Sequence, residues 1–168
     1  DVLVTNETFY AITTGIKKGL YFGLINPLNT FLKGLPWWYT CLVFVGVAYL
    51  VSGRALALIT FIGLLFIGAT DLWAFSMITL STVTVSVLIC FVVGVPLGIM
   101  AAYSRTIDGI LKPILDTMQT MPVFVYLVPV IMLFGGGQIP AVIATVIYAI
   151  PPLIRCTTLG IRELPEEI

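Results

Sequence analysis

Between Asp116 and Arg155 the chain reads TMQTMPVFVYLVPVIMLFGGGQIPAVIATVIYAIPPLI, residues 117–154, 38 positions without a charge. A helix needs about 20 residues to cross about 30 Å of hydrocarbon, so the run is too long for one crossing. Gly135-Gly136-Gly137-Gln138 stands near its middle, a helix-breaking set with 18 residues before it and 16 after. The run therefore predicts two apolar helices joined by a tight turn.

The same count organises the rest. Lys33 to Arg54 leaves 20 uncharged residues, Arg54 to Asp71 leaves 16, and Asp71 to Arg105 leaves 33. The 33-residue run holds one long helix, with an interfacial start at Leu72 to Ser76 and a Pro96 kink near its far end. The 16-residue run is short for a crossing, so Arg54 is expected to snorkel and Gly68 to Thr70 to reach the interface. Ser52-Gly53-Arg54 then turns a helical hairpin.

Composition agrees. The 168 residues include eight Lys+Arg, eight Asp+Glu and no His; 60 % are hydrophobic and only 10 % charged, and the mean hydropathy is +1.12. Soluble domains carry about 25 % charged residues, so lipid must cover part of this surface. Eight scattered basic residues at zero net charge offer no stripe for tracking phosphates, which argues against a nucleic-acid partner. Without His, neither a zinc-hydrolase helix nor a Ser-His or Cys-His pair can be built from this chain alone. Cys41, Cys90 and Cys156 lie in separate apolar runs and read as small packing residues.

The expectation is an all-α integral membrane protein with five spans, at about 36–51, 55–68, 77–102, 114–134 and 139–154. Arg54, Arg105, Lys112, Arg155 and Arg162 fall on one side of it, and Lys17, Lys18 and Lys33 on the other, which favours the carboxyl end inside. Residues 1–35 form an amino-terminal interfacial segment, in which Phe9, Ile12, Ile16, Leu20, Leu24 and Phe31 recur at helical spacing until Pro27 interrupts them.

Polar residues within spans need partners, because lipid offers none. Thr79, Thr82 and Ser86 recur on one side of the third span, as a helix contact or as the lining of a polar pathway. At the start of the fourth, Lys112 and Asp116 have the spacing of an ion pair, and Gln119 and Thr120 lie one turn deeper. Pro122 and Pro129 each free a carbonyl one turn back that a neighbour or water must satisfy. Tyr103, Phe124, Tyr126 and Tyr148 could surround a quaternary ammonium, although aromatic residues in spans more often pack or anchor.

The last segment combines Pro151-Pro152, expected to break the fifth helix, with Leu164-Pro165-Glu166-Glu167, which reads as the opening turn of another helix with acids at its positive end. A first turn without a body suggests a fragment of a longer protein. No Gly-x-x-x-x-Gly-Lys-Ser/Thr occurs, so these residues offer no phosphate-cradling loop for a nucleotide. Composition alone suits a passive channel or a structural membrane subunit equally well. An intramembrane enzyme would need a nucleophile with a base, paired aspartates or metal ligands, whereas His is absent and of the acids only Asp116 comes near a span interior; catalytic and metal sites are expected to be absent.

The stretches Leu115 to Pro129, Met132 to Gly135, Ala149 to Arg155 and Leu159 to Ile161 resemble the membrane permease of bacterial proline/glycine betaine ABC importers. The likeness is specific from about Leu72 to Ile168 and rests on hydropathy and the Ser-Gly turn before that. It implies a permease of the type I importer fold in the bacterial inner membrane, amino terminus outside and carboxyl end cytoplasmic. It further implies a second permease subunit, cytoplasmic ATPases holding ATP and Mg, a periplasmic or membrane-tethered solute receptor, and no cofactor in this chain.

In that family a Glu-Ala-Ala-x-x-x-Gly motif meets the ATPase, and it would follow directly on the last residues here. The resemblance thus makes Gly160, Ile161, Leu164, Pro165, Glu166 and Glu167 the approach to the ATPase. Thr79, Thr82, Ser86, Gln119, Thr120 and Tyr126 are candidates for the pathway. Glycine betaine or proline is the implied solute, with choline, carnitine or an amino acid as alternatives.

Overall fold

The computed structural model describes residues 7–163, and among these every regular element is helical. Helix α1 (Glu7–Leu20) passes through one π turn (Tyr21–Ile25) into α2 (Asn26–Gly34); then come α3 (Trp37–Ser52), α4 (Arg54–Ala69), α5 (Trp73–Tyr103), α6 (Arg105–Thr120), α7 (Val123–Phe134) and α8 (Gln138–Arg162). The expected Pro27 interruption is absorbed without a break: Pro27 stands in the first turn of α2, directly after the π turn.

One compact unit runs from Phe22 to Ser81. Its centre is the hairpin of α3 and α4, joined by Gly53 alone, whose φ of 77° a side chain would resist. Before it, Leu35 and Pro36 are extended, and the stretch Ala11–Gly34 meets α3 at 99°. The residue before a proline is pushed out of the helical region, which sets this corner. After α4, Asp71 takes φ 58° and the Leu72 N–H reaches back to the Ile67 carbonyl at 3.2 Å. That closes the helix with a left-handed residue, a conformation Asp tolerates better than most side chains do.

The other unit contains α1 and the chain from Thr82 onward. In it α7 and α8 pack together across the Gly135–Gly137 turn, where Gly135 and Gly137 have φ of 75° and 126°; α6 lies against α8, and α1 touches α7. Helix α5 supplies its first turns to the one unit and its remainder to the other.

Three sequence expectations need correction. Residues 114–134 are not one helix: α6 already begins at Arg105, capped by the Ser104 hydroxyl, and the chain bends by 89° between α6 and α7. Met121 and Pro122 are both extended there, since Pro122 has no N–H to carry the ladder and disfavours a helical Met121. Pro151-Pro152 does not break α8, which continues to Arg162 because contacts with α5 on the following turns hold it. Cys41 and Cys90 are buried as expected, but Cys156 is exposed. Two positions from both Ile154 and Thr158, it points to the opposite side of α8 from α5.

By length and apolar composition α5 and α8 are each able to cross a membrane; the bent pairs Ala11–Gly34 with α3 and α6 with α7 pass the same test jointly, and α4 is a shorter apolar helix.

Candidate functional site

Helices α5 and α8 meet along a seam that sequence separation alone does not reveal. Gln138 Nε2 donates to Thr82 Oγ1 at 3.0 Å, and the Cys90 thiol approaches the Val146 carbonyl at 3.8 Å. A methyl group on Gly94 would stand 2.8 Å from Leu153 Cδ2, and one on Gly98 2.6 Å from Thr157 Cβ. The Thr158 hydroxyl lies between the Ile154 carbonyl of its own helix at 2.8 Å and the Gly98 carbonyl of α5 at 3.1 Å, sharing its proton between them. Contact positions rise together along both helices, so α5 and α8 run parallel. The Gly94-x-x-x-Gly98 spacing removes side chains where the backbones come closest, as small residues do in membrane helix pairs.

At the C-terminal ends of these helices the seam becomes charged. Arg162 Nη2 donates to the Ala101 carbonyl at 2.8 Å, Nε to the Ala102 carbonyl at 3.4 Å, and Nη1 to Asp108 Oδ2 at 2.9 Å. Roughly two turns back along α8, Arg155 pairs with Asp116 of α6. The expected Lys112–Asp116 pair is therefore replaced by one between helices, because α8 brings a guanidinium to the carboxylate. As Asp108 meets Arg162 and Asp116 meets Arg155, α6 runs antiparallel to this part of α8. A cleft of about 210 Å³ lies between them, with Leu111 and Leu115 on one side, Ile154 and Leu159 on the other, and Lys112 on its lining. All four paired side chains are between 34 % and 53 % exposed, so each ion pair contributes about 1 kcal/mol or less. Their main effect is to fix how α6 lies on α8.

The corner between α6 and α7 is held by one hydroxyl. Pro122 leaves the Met118 carbonyl without its helical donor, and Tyr126 Oη donates to that oxygen at 2.7 Å. Thr117 and Thr120 bond back to the carbonyls of Pro113 and Thr117, at 2.8 and 3.0 Å.

Residues 94–168 match the family described as binding-protein-dependent transport system inner membrane component. Along its whole length the chain is 43 % identical to the glycine betaine/proline betaine transport system permease protein ProW of Escherichia coli K12, covering 47 % of that protein. It is 44 % identical over 161 residues, 96 % of the chain and 57 % of the relative, to the glycine betaine transport system permease protein OpuAB of Bacillus subtilis. It is 40 % identical over 172 aligned positions, all of the chain and 60 % of the relative, to the glycine betaine/carnitine transport permease protein GbuB of Listeria monocytogenes. The chain belongs to this permease family. It spans about half the length of the curated relatives it matches.

In this permease segment the family match begins at Gly94, at the close approach of α5 to α8, and takes in the bend and both ion pairs. Of the candidate pathway residues, Thr82 and Ser86 share the α8-facing side of α5: Ser86 is buried and donates to the Thr82 carbonyl, and Thr82 receives Gln138. Thr79 is exposed and bonds to the Phe75 carbonyl. Gln119 and Thr120 are exposed at the end of α6, while the Tyr126 hydroxyl is engaged at the bend. Of the coupling residues, Gly160 and Ile161 lie in the last turn of α8, and Leu164, Pro165, Glu166 and Glu167 lie outside the described residues. Sequence reasoning missed Arg162, Asp108 and Gln138 as functional candidates. The available signal was opposite charge at the ends of neighbouring apolar runs.

Proposed function

We propose that the permease carrying this chain is the membrane-spanning subunit of an ATP-driven importer of glycine betaine and proline betaine. One observation carries this reading: the similarity extends along 96–100 % of the chain to three permeases whose names all include glycine betaine. The family's description supplies the binding protein as a partner, a solute receptor outside the membrane. ATP and Mg are assigned to a separate cytoplasmic ATPase, in keeping with relatives named as permease proteins of transport systems, and the permease performs no covalent chemistry. A second copy of the permease completes the pathway. Carnitine is the second reading for the solute, on the strength of the Listeria relative's name.

Five crossings fit the helices, with α3, α4, α5, the bent α6–α7 pair and α8 as spans, residues 1–35 outside and the end of α8 at the ATPase. The bracketing of α8 supports this. Between Gln138 and Arg155 it is uncharged from Ile139 to Ile154, about 24 Å at helical rise.

The test is uptake of labelled glycine betaine by cells stripped of other betaine importers and supplied with the full permease, its ATPase and its receptor. ATP-dependent uptake, competed by unlabelled proline betaine, is expected; its absence refutes the reading, and stronger competition by carnitine selects the second. For topology, Cys41, Cys90 and Cys156 are first replaced. A cysteine at Asn6 should then be labelled from outside intact cells, and one at Arg105 only after permeabilisation. Equal labelling of both from outside refutes the five-span arrangement.

A further inference from the structure

Arg162 closes α8, yet all three hydrogen bonds of its side chain go to other elements. The carbonyls of Ala101 and Ala102 belong to the last turn of α5, where no helical N–H remains to meet them, and a cation there is favoured by the backbone dipole. Asp108 lies in the first turn of α6. Only Ser104 separates the end of α5 from the start of α6, so one guanidinium grips both arms of a one-residue corner. A lysine has a single nitrogen and cannot present the planar fork that reaches two carbonyls and a carboxylate together.

We propose that Arg162 is the positioning residue through which movement of the ATPase-coupling segment is passed to α5 and α6. This rests on the reading of residues 160–167 as the approach to the ATPase. Any displacement of that segment moves the last turn of α8 first, and Arg162 makes the corner at Ser104 follow. The Gly98–Thr158 contact one turn earlier keeps α8 close to α5 but does not reach α6, and the Arg155–Asp116 pair holds α6 eight positions beyond Asp108, away from the corner. Without the fork the end of α8 shifts while the corner stays behind, and ATP is hydrolysed with less solute moved.

The test uses the full permease assembled with its ATPase and receptor in proteoliposomes, with uptake and hydrolysis measured in the same vesicles. Wild type must show hydrolysis stimulated by receptor and solute; if it does not, the functional reading fails and not this one. In Arg162→Gln the ATPase should still co-purify while uptake per ATP falls about tenfold, the factor a charge-assisted hydrogen bond carries. Arg162→Lys should recover part of that ratio, and Asp108→Asn, which keeps the two carbonyl bonds, should lower it by about threefold. A wild-type ratio in Arg162→Gln overturns the proposal. So does loss of assembly in Arg162→Gln together with wild-type ratios in Arg162→Lys and Asp108→Asn, which would leave Arg162 a purely structural role.

Discussion

The hydroxyl of Tyr126 donates to the carbonyl of Met118 at 2.7 Å and so replaces the bond that Pro122 denies to the end of α6. Proline and tyrosine act together here. Pro122 turns the chain, and the ring four positions on, in the first turns of α7, reaches back across the corner. Tyr126→Phe keeps the ring and removes only the donor, leaving a half-buried carbonyl unmet. We expect a loss of about 1 kcal/mol of stability, measured as a lower thermal midpoint of the purified transporter. An unchanged midpoint would mean that water serves this carbonyl equally well.

The parallel seam of α5 and α8 depends on missing side chains. A methyl on Gly98 would stand 2.6 Å from Thr157 Cβ and 3.0 Å from the Ile154 carbonyl oxygen, so backbone as well as side chain would have to move. Gly98→Ala is expected to destabilise the permease by about 1–3 kcal/mol. Gly109→Ala in α6 meets nothing within 4 Å and should be neutral or stabilising by about 0.5–1 kcal/mol. Thermal midpoints of the two variants should therefore move in opposite directions, and equal effects would contradict the close approach.

Across the same seam, Gln138 and Thr82 join side chain to side chain at 3.0 Å. Interhelical bonds of this kind in membranes are worth about 0.6–2 kcal/mol, because the separated helices also find partners. A double-mutant cycle of Thr82→Val and Gln138→Leu should give a coupling energy of about 1 kcal/mol. Additive single effects would show that the bond does not form in the assembled protein.

The helices were legible in this sequence wherever charge was absent. Gaps between charged residues place α3 and α4 within one residue of their ends and locate the glycine turn before α8. Charged stretches misled for the same reason: Arg105 and Asp108 fall between the expected spans and Lys112 at the expected start of the fourth helix, although Ser104 is a good helix cap and the residues after it already build α6. Pro151-Pro152 misled in another way. The two prolines cost α8 local bonds, but Gly94 and Gly98 let α5 approach just beyond them, and packing outweighs propensity. The partners of Gln138, Arg155 and Arg162 lie 39 to 61 positions away, and one sequence carries no trace of such distances. Pro122 did announce a carbonyl in need of a donor; its position could not say that Tyr126 would provide it.

Gln119 and Thr120 remain candidates for the pathway because both are exposed in the single subunit. Thr120 satisfies its proton on the Thr117 carbonyl, and Gln119 presents a full amide at the end of α6. Against acyl chains such groups would cost about 1 kcal/mol or more each, so a water-lined or subunit-facing position suits them. Leucine at both positions should reduce solute uptake by about tenfold while the permease still assembles with its ATPase. Normal uptake would remove both residues from the pathway.

The last expectation concerns the contact that would drive transport. Gly160 is exposed in the final turn of α8 and has open space around it, and Ile161 beside it is half-buried. In sequence they are followed by the apolar Leu164 and Pro165 and then by the acidic Glu166 and Glu167. If this segment enters a groove on the ATPase, its apolar side chains fill the groove and its two acids lie at the rim or favour the start of a helix. Ile161→Asp with Leu164→Asp would then carry two carboxylates into an apolar contact, a severe desolvation cost. Expected is loss of ATPase co-purification together with loss of solute-stimulated hydrolysis, whereas Arg162→Gln keeps the association and loses only the coupling. Unchanged association in the double variant would show that the ATPase docks elsewhere on the permease.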